Sequence, residues 1–133
     1  MEKIAGKYQH VQTFNTEVFI QLVGVEVSEE NVNALGNTES ILTVGYQDGI
    51  YSFAIRIGMY WERAINFRLE KCFVEGDGSV QTIARREGDT FVLTSTNIDG
   101  TIYRRYYEFS DYGAIITLDL GNGVRGKRIY RRL

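Results

Sequence analysis

Apolar and polar residues alternate singly along most of this chain, and glycine-bearing turns cut the alternation roughly every ten residues. The turns are Gln47-Asp48-Gly49, Glu75-Gly76-Asp77-Gly78, Glu87-Gly88-Asp89, Asn97-Ile98-Asp99-Gly100, Ser110-Asp111-Tyr112-Gly113 and Gly121-Asn122-Gly123. Period-two alternation puts neighbouring side chains on opposite faces of a sheet, so this pattern predicts a meander of antiparallel hairpins. Strands are expected at about 4–13, 39–46, 50–58, 61–68, 70–74, 79–86, 90–96, 101–109, 114–120 and 124–132. The period changes only once. After the first strand, Asn15 or Thr16 can cap a short helix carrying Val18, Phe19, Leu22 and Val23 and stopped by Gly24. Ser28 opens a second, with Glu29 and Glu30 in its first turn, then Val32 and Leu35, and Gly36 as its end.

Ten strands in up-and-down order are too many for a flat twisted sheet of this size and are expected to close into an all-β antiparallel barrel or flattened clam. Side chains alone do not fill a barrel wider than about eight strands, which predicts an interior cavity. The helix pair, inserted between the first two strands, is expected to cover an open end as a lid. A length of 133 residues, 44% of them hydrophobic, makes residues 1–133 a single domain in this reading. Fourteen glycines, no proline, nine tyrosines and seven phenylalanines suit a sheet protein whose turns rest on glycine.

A net charge of −2 supplies no basic field for nucleic acid, and the charged residues of the helix pair, Glu17, Glu26, Glu29 and Glu30, would repel phosphate. The doublets Arg85-Arg86, Arg104-Arg105 and Arg131-Arg132 read as solvated strand positions. Cys72 is the single cysteine, which excludes an internal disulfide and a multi-cysteine metal site. The opening Met1-Glu2-Lys3-Ile4-Ala5-Gly6 lacks the apolar core of a signal peptide, and no apolar run is long enough to span a membrane, so a cytoplasmic protein is expected. Enzyme chemistry finds little to stand on. His10 has no serine–acid arrangement beside it and reads as a satisfied surface or core position, and Cys72 has no histidine partner in sequence. The acidic turns lack calcium-loop spacing, and no glycine loop opens a helix to cradle phosphate, so neither metal nor cofactor is expected.

One charge stands on an unusual side. On the last strand Arg125, Lys127 and Arg131 share one face, while Val124, Gly126, Arg128 and Tyr130 share the other, which turns Arg128 inward. A guanidinium there costs several kcal/mol unless an anion, a hydroxyl or ordered water satisfies it. The competing reading is a terminal strand half exposed on both faces, since Ile129 breaks the polar side.

Over its whole length the chain resembles the intracellular lipid-binding proteins, the calycin-like cytosolic carriers of fatty acids and retinoids. The resemblance rests on Gly6-Lys7-Tyr8, Asn15 with the helix ending in Gly24-Val25, Ile65-Asn66-Phe67-Arg68-Leu69 leading to Phe73, Ile98-Asp99-Gly100-Thr101, and Arg128-Ile129-Tyr130. It implies a ten-stranded clam of two five-stranded sheets, a helix-turn-helix lid with a portal, and a partly hydrated cavity. It also implies a ligand carboxylate held by the Arg-x-Tyr of Arg128 and Tyr130, with a second arginine two strands earlier. That second position falls here on Tyr107 or Glu108, with Arg105 two residues before Tyr107 and on the same face. Either Arg105 takes the role, or Arg128 acts with the hydroxyls of Tyr103, Tyr107 and Tyr130, or the ligand is neutral. Tyr8 replaces the family's usual tryptophan, and the lid lacks the lysines with which some members approach acidic membranes, so membrane contact is at most transient.

Alternation nominates Tyr51, Phe53, Ile55, Ile57, Ile65, Phe67, Leu93 and Ser95 as cavity wall. It adds Ile116, Leu118 and Leu120, whereas the family's register would turn Thr117 and Asp119 inward. Phe19, Ile20, Val32, Leu35, Met59 and Tyr60 stand near the expected portal. Each of these can equally be plain core or interhelix packing. The expected ligand contacts are thus Arg128, Tyr130, Arg105, Tyr107, Phe19, Phe53, Ile55 and Phe67. Burying about ten methylenes is worth roughly 0.8 kcal/mol each, against about 1.5–3 kcal/mol for one charge-assisted hydrogen bond, so the wall supplies most of the affinity and the arginine orients the head group. The expected function is a monomeric, non-enzymatic carrier of a long-chain fatty acid or similar hydrophobic small molecule. The alternatives are a carrier of a retinoid or other neutral lipid, and a protein-interaction or storage module whose cavity is filled by its own rings.

Overall fold

A computed structural model describes residues 3–14, 40–57, 61–76, 78–121 and 123–133. All ten expected strands are present: β1 Gly6–Phe14, β2 Ser40–Gln47, β3 Ile50–Ile57, β4 Trp61–Phe67 and β5 Cys72–Glu75, then β6 Val80–Glu87, β7 Thr90–Asn97, β8 Ile102–Phe109, β9 Gly113–Gly121 and β10 Val124–Arg132. The expected helix pair and the portal residues Phe19, Ile20, Val32, Leu35, Met59 and Tyr60 lie outside the described residues. Among the described residues no helix is long and apolar enough to cross a membrane.

The strands form one antiparallel ladder in the order β4-β3-β2-β1-β10-β9-β8-β7-β6-β5, so β1 pairs with both β2 and β10 and the ribbon curls into a nearly closed barrel. The resemblance implies two five-stranded sheets. Here the ladder runs through all ten strands, and its one break among the described residues falls between β4 and β5, which are consecutive in sequence yet do not pair. Turn chemistry explains the hairpins. Asp48 and Gly49 both hold positive φ, 52° and 84°, which is the two-residue turn whose twist matches the strands on either side.

Alternation breaks in β1, where a bulge between His10 and Gln12 inserts Val11 and shifts the register. A strict period of two would send Tyr8, His10, Gln12 and Phe14 inward. With the bulge, Tyr8, His10 and Thr13 turn to the interior side, while Gln12 and Phe14 are exposed. The core therefore begins at Tyr8, which is fully buried and donates its hydroxyl to Ile4 O at 2.6 Å. A phenol at this position needs that acceptor, which a smaller hydrocarbon ring would leave unpaired.

Candidate functional site

The interior has two chemistries. At the end where β2 turns into β3, β6 into β7 and β8 into β9, aromatic rings interlock. Phe53 contacts Tyr107, Phe67, Phe91 and Phe109, with ring centroids 4.7, 5.0, 5.2 and 5.8 Å away. Tyr51 closes the group against Phe91 at 5.0 Å. Edge-to-face and tilted geometry of this kind adds to the gain from area burial. Toward the other end, where β1 ends and β2 begins, the inward positions become polar.

Arg128 and Tyr130, two apart on β10, both face inward at 3% and 2% exposure. Arg128 pairs with Ile116 and Tyr130 with Ala114, so β9 supplies the flanking wall. The Arg128 Nε donates to the Tyr130 hydroxyl at 3.1 Å, and that hydroxyl is 3.0 Å from Ser40 Oγ on β2. From β1, the His10 ring sets its edge to Tyr130 at 5.7 Å and bonds Thr13 Oγ1 through Nε2 at 2.6 Å. Thr13 is itself the register partner of Arg128. The close approach of β9 to Tyr130 requires glycine at 113, because a Cβ there would stand 1.9 Å from the Tyr130 carbonyl oxygen.

Arg105 and Tyr107 on β8 face the same interior, at 8% and 4% exposure. They pair with Leu118 and Ile116, so one strand separates them from Arg128. Arg105 meets an internal acid: its Nη1 and Nη2 donate to the two oxygens of Glu75 on β5, at 3.0 and 2.5 Å. Thr82 donates to Glu75 Oε2, and Ser95 Oγ lies 2.7 Å from Thr82 and accepts from Arg105 Nη2 at 3.1 Å. Burial alone would push the Glu75 carboxyl up. The Arg105 hydrogen bond and charge, then Thr82 and the nearby charge of Arg63, outweigh it and hold the carboxyl below its usual range. Burial likewise works against the Arg105 cation, and Tyr107, Glu75 and Tyr103 overcome it. Burial raises the Tyr107 phenol, with Arg105 pulling the other way.

The remaining expected residues fall as follows. Phe53 and Phe67 are buried in the ring cluster, Ile55 is half-buried beside it, and Phe19 lies outside the described residues. Ile116 and Leu118 are inward at 3% and 0% exposure, and their pairing with Arg128, Tyr107 and Arg105 decides the β9 register against an inward Thr117 and Asp119. Solvated arginine doublets need correction. Adjacent residues on a strand face opposite ways, so one of each pair turns in: Arg105 is buried, Arg86 is half-buried and bonds the Tyr51 hydroxyl at 2.8 Å, and half-buried Arg132 reaches Lys3 O and Ala5 O. Cys72 is exposed on β5.

Sequence reasoning missed Glu75, Thr82, Ser40 and Arg63. Glu75 reads as a turn residue beside Gly76, although alternation from Phe73 would have turned it inward. Arg63 shares the parity of Ile65 and Phe67 on β4 and is half-buried opposite Ile55. Among the described residues no three His, Cys, Asp or Glu side chains converge as metal ligands.

No known family profile and no curated protein matches this sequence. Solved structures match it closely in three dimensions. A fatty acid-binding protein from brain tissue of Drosophila melanogaster superposes with a TM-score of 0.81 at 22% identity, over 97% of this chain and 99% of the other. A Schistosoma mansoni fatty acid binding protein in complex with arachidonic acid gives 0.80 at 17% identity, over 100% and 98%. The fluorescent protein UnaG gives 0.79 at 22% identity, over 98% of each chain. The architecture is therefore that of the fatty-acid-binding proteins, the ten-stranded clam that the resemblance to intracellular lipid-binding proteins implies.

Proposed function

We propose that this protein is a non-enzymatic carrier that takes a long-chain fatty acid or similar hydrophobic ligand into its barrel, with the carboxylate near Arg128 and Tyr130. The observation that carries the reading is the inward guanidinium of Arg128, 3% exposed and bonded to the Tyr130 phenol, with the apolar Ile116 and Ala114 of β9 paired to the two. A fold whose matches include a fatty acid binding protein holding arachidonic acid supports it. Phe53, Ile55, Phe67 and Tyr107 belong to the wall that covers the chain, Arg105 stands farther along it, and Phe19 belongs to the entrance. In this reading the carrier works as a single-domain monomer in the cytoplasm, meets membranes only transiently and has no nucleic-acid partner.

A fluorescent fatty acid titrated into delipidated protein should bind saturably, and Arg128→Ala should weaken it about ten-fold, the equivalent of one charge-assisted hydrogen bond. The absence of saturable binding, or a variant that binds like wild type, would overturn the reading. The ring cluster around Phe53 favours a second one, an interaction or storage module filled by its own side chains. Mass spectrometry of protein purified under native conditions separates the two. A co-purified lipid rules out the filled module.

A further inference from the structure

Arg105 reaches Glu75 across two intervening strands, and each strand on the way contributes one polar side chain to the path. Along the ladder β8-β7-β6-β5 these are Arg105, Ser95, Thr82 and Glu75, with Ser95 and Thr82 direct register partners. Hydrogen placement follows from the donor count. Thr82 gives its proton to Glu75, so between Thr82 and Ser95 the donor is Ser95, whose oxygen in turn accepts from Arg105 Nη2. Each hydroxyl donates once and accepts once. The belt is closed.

Within it, Glu75 takes both end nitrogens of the guanidinium. That is one of the two edges with which an arginine grips a carboxylate, and the other, Nε with Nη2, cannot be used in full because both Nη2 protons go to Glu75 and Ser95. Glu75 is 6% exposed and Arg105 8%, so the pair is desolvated and its charges cancel where screening is weak. Arg105 consequently presents to the interior no net charge and no complete carboxylate-binding edge; only its buried Nε is left without a partner among the described residues.

We propose that Glu75 is a specificity-determining residue: a built-in carboxylate that fills the anion site of Arg105, so that this wall accepts only an uncharged part of the guest and acid recognition falls to Arg128. This deepens the carrier reading and rests on it. Removing the charge of Glu75 while keeping its shape would open Arg105 to a second carboxylate contact and make the protein a stronger selector of acids over alcohols.

The test is competitive displacement of a fluorescent fatty acid by dodecanoate and by dodecanol, in wild type and in Glu75→Gln. The ratio of acid to alcohol affinity should rise about ten-fold or more in the variant, the worth of one additional charge-assisted contact. Because a buried arginine stripped of its acid can compromise folding, the double variant Glu75→Met with Arg105→Met is measured beside it, with circular dichroism of both. Its acid-to-alcohol ratio should stay within about two-fold of wild type, since a balanced pair contributes no net charge. An unchanged ratio in a folded Glu75→Gln, or a ratio that collapses in the double variant, overturns the assignment while leaving the carrier reading intact. Failure of the fluorescent fatty acid to bind any of these proteins overturns both.

Discussion

The two ends of the barrel interior solve the burial problem in opposite ways. Around Phe53 the chain removes hydrocarbon from water and relies on ring packing; around Arg105 and Arg128 it buries guanidinium groups that must be matched by hydroxyls or a carboxylate. The first arrangement stabilises outright. The second is close to neutral when complete, because desolvating two charges consumes most of their attraction, and is strongly destabilising when one member is removed. A polar interior retained under those conditions points to a task other than holding the fold together.

Substitutions sharpen this contrast. At the ring end, Phe53→Ala should cost about 3–5 kcal/mol in chemical denaturation, since it vacates the centre of a cluster with four ring contacts. A cost under about 1 kcal/mol would mean that this end is not where stability resides. At the polar end, Glu75→Ala should lose a comparable amount, about 3–5 kcal/mol, by stranding Arg105. The distinguishing mark is acid. The folded state holds the Glu75 carboxyl below its ordinary range, so the native protein binds fewer protons there than the unfolded chain. Its stabilising contribution is complete at neutral pH and disappears as pH falls through the depressed value. Stability measured against pH should therefore fall less steeply on the acid side in Glu75→Gln than in wild type, whereas Phe53→Ala should keep the wild-type slope.

Beside the β8–β9 turn of the ring end, Gly113→Ala should cost about 1–3 kcal/mol, because the new methyl meets the Tyr130 carbonyl and pushes β9 from β10. A thermal melt reads this loss, and the same variant should weaken fatty-acid binding by displacing Tyr130. Outside the barrel, Arg125→Ala breaks an ion pair with Asp119 at 3.1 Å, with the arginine largely exposed, and should change stability by less than about 1 kcal/mol. A larger change would show that the outer face contributes more than the comparison of the two ends allows.

Much of this architecture was legible in the residue order. Single alternation and glycine turns located all ten strands, because both are local properties, and parity on β10 alone turned Arg128 and Tyr130 inward. What escaped depends on pairing between distant strands. The β1 bulge at Val11 leaves no local signal that period-two reasoning detects, yet it directs Thr13 toward Arg128. The register of β9 is set by its partners on both sides, Arg105 opposite Leu118 and Arg128 opposite Ile116, which no local pattern encodes. Glu75 was hidden by its place beside a glycine turn, where an acid is ordinary; only the approach of Arg105 from three strands away gives it a role.

The interruption between β4 and β5 sets the mechanics of the shell. Nine hydrogen-bonded junctions bind the ten strands among the described residues, so the wall is a curled ribbon with two free margins and not a hoop. Across those margins the stacked rings of Phe67 and Phe73, 5.6 Å apart, provide contact without direction. Dispersion tolerates sliding in a way that a strand ladder does not. The two margins are thus held, beside the turn in which Lys71 N–H donates to Arg68 O, by ring contact and not by a ladder.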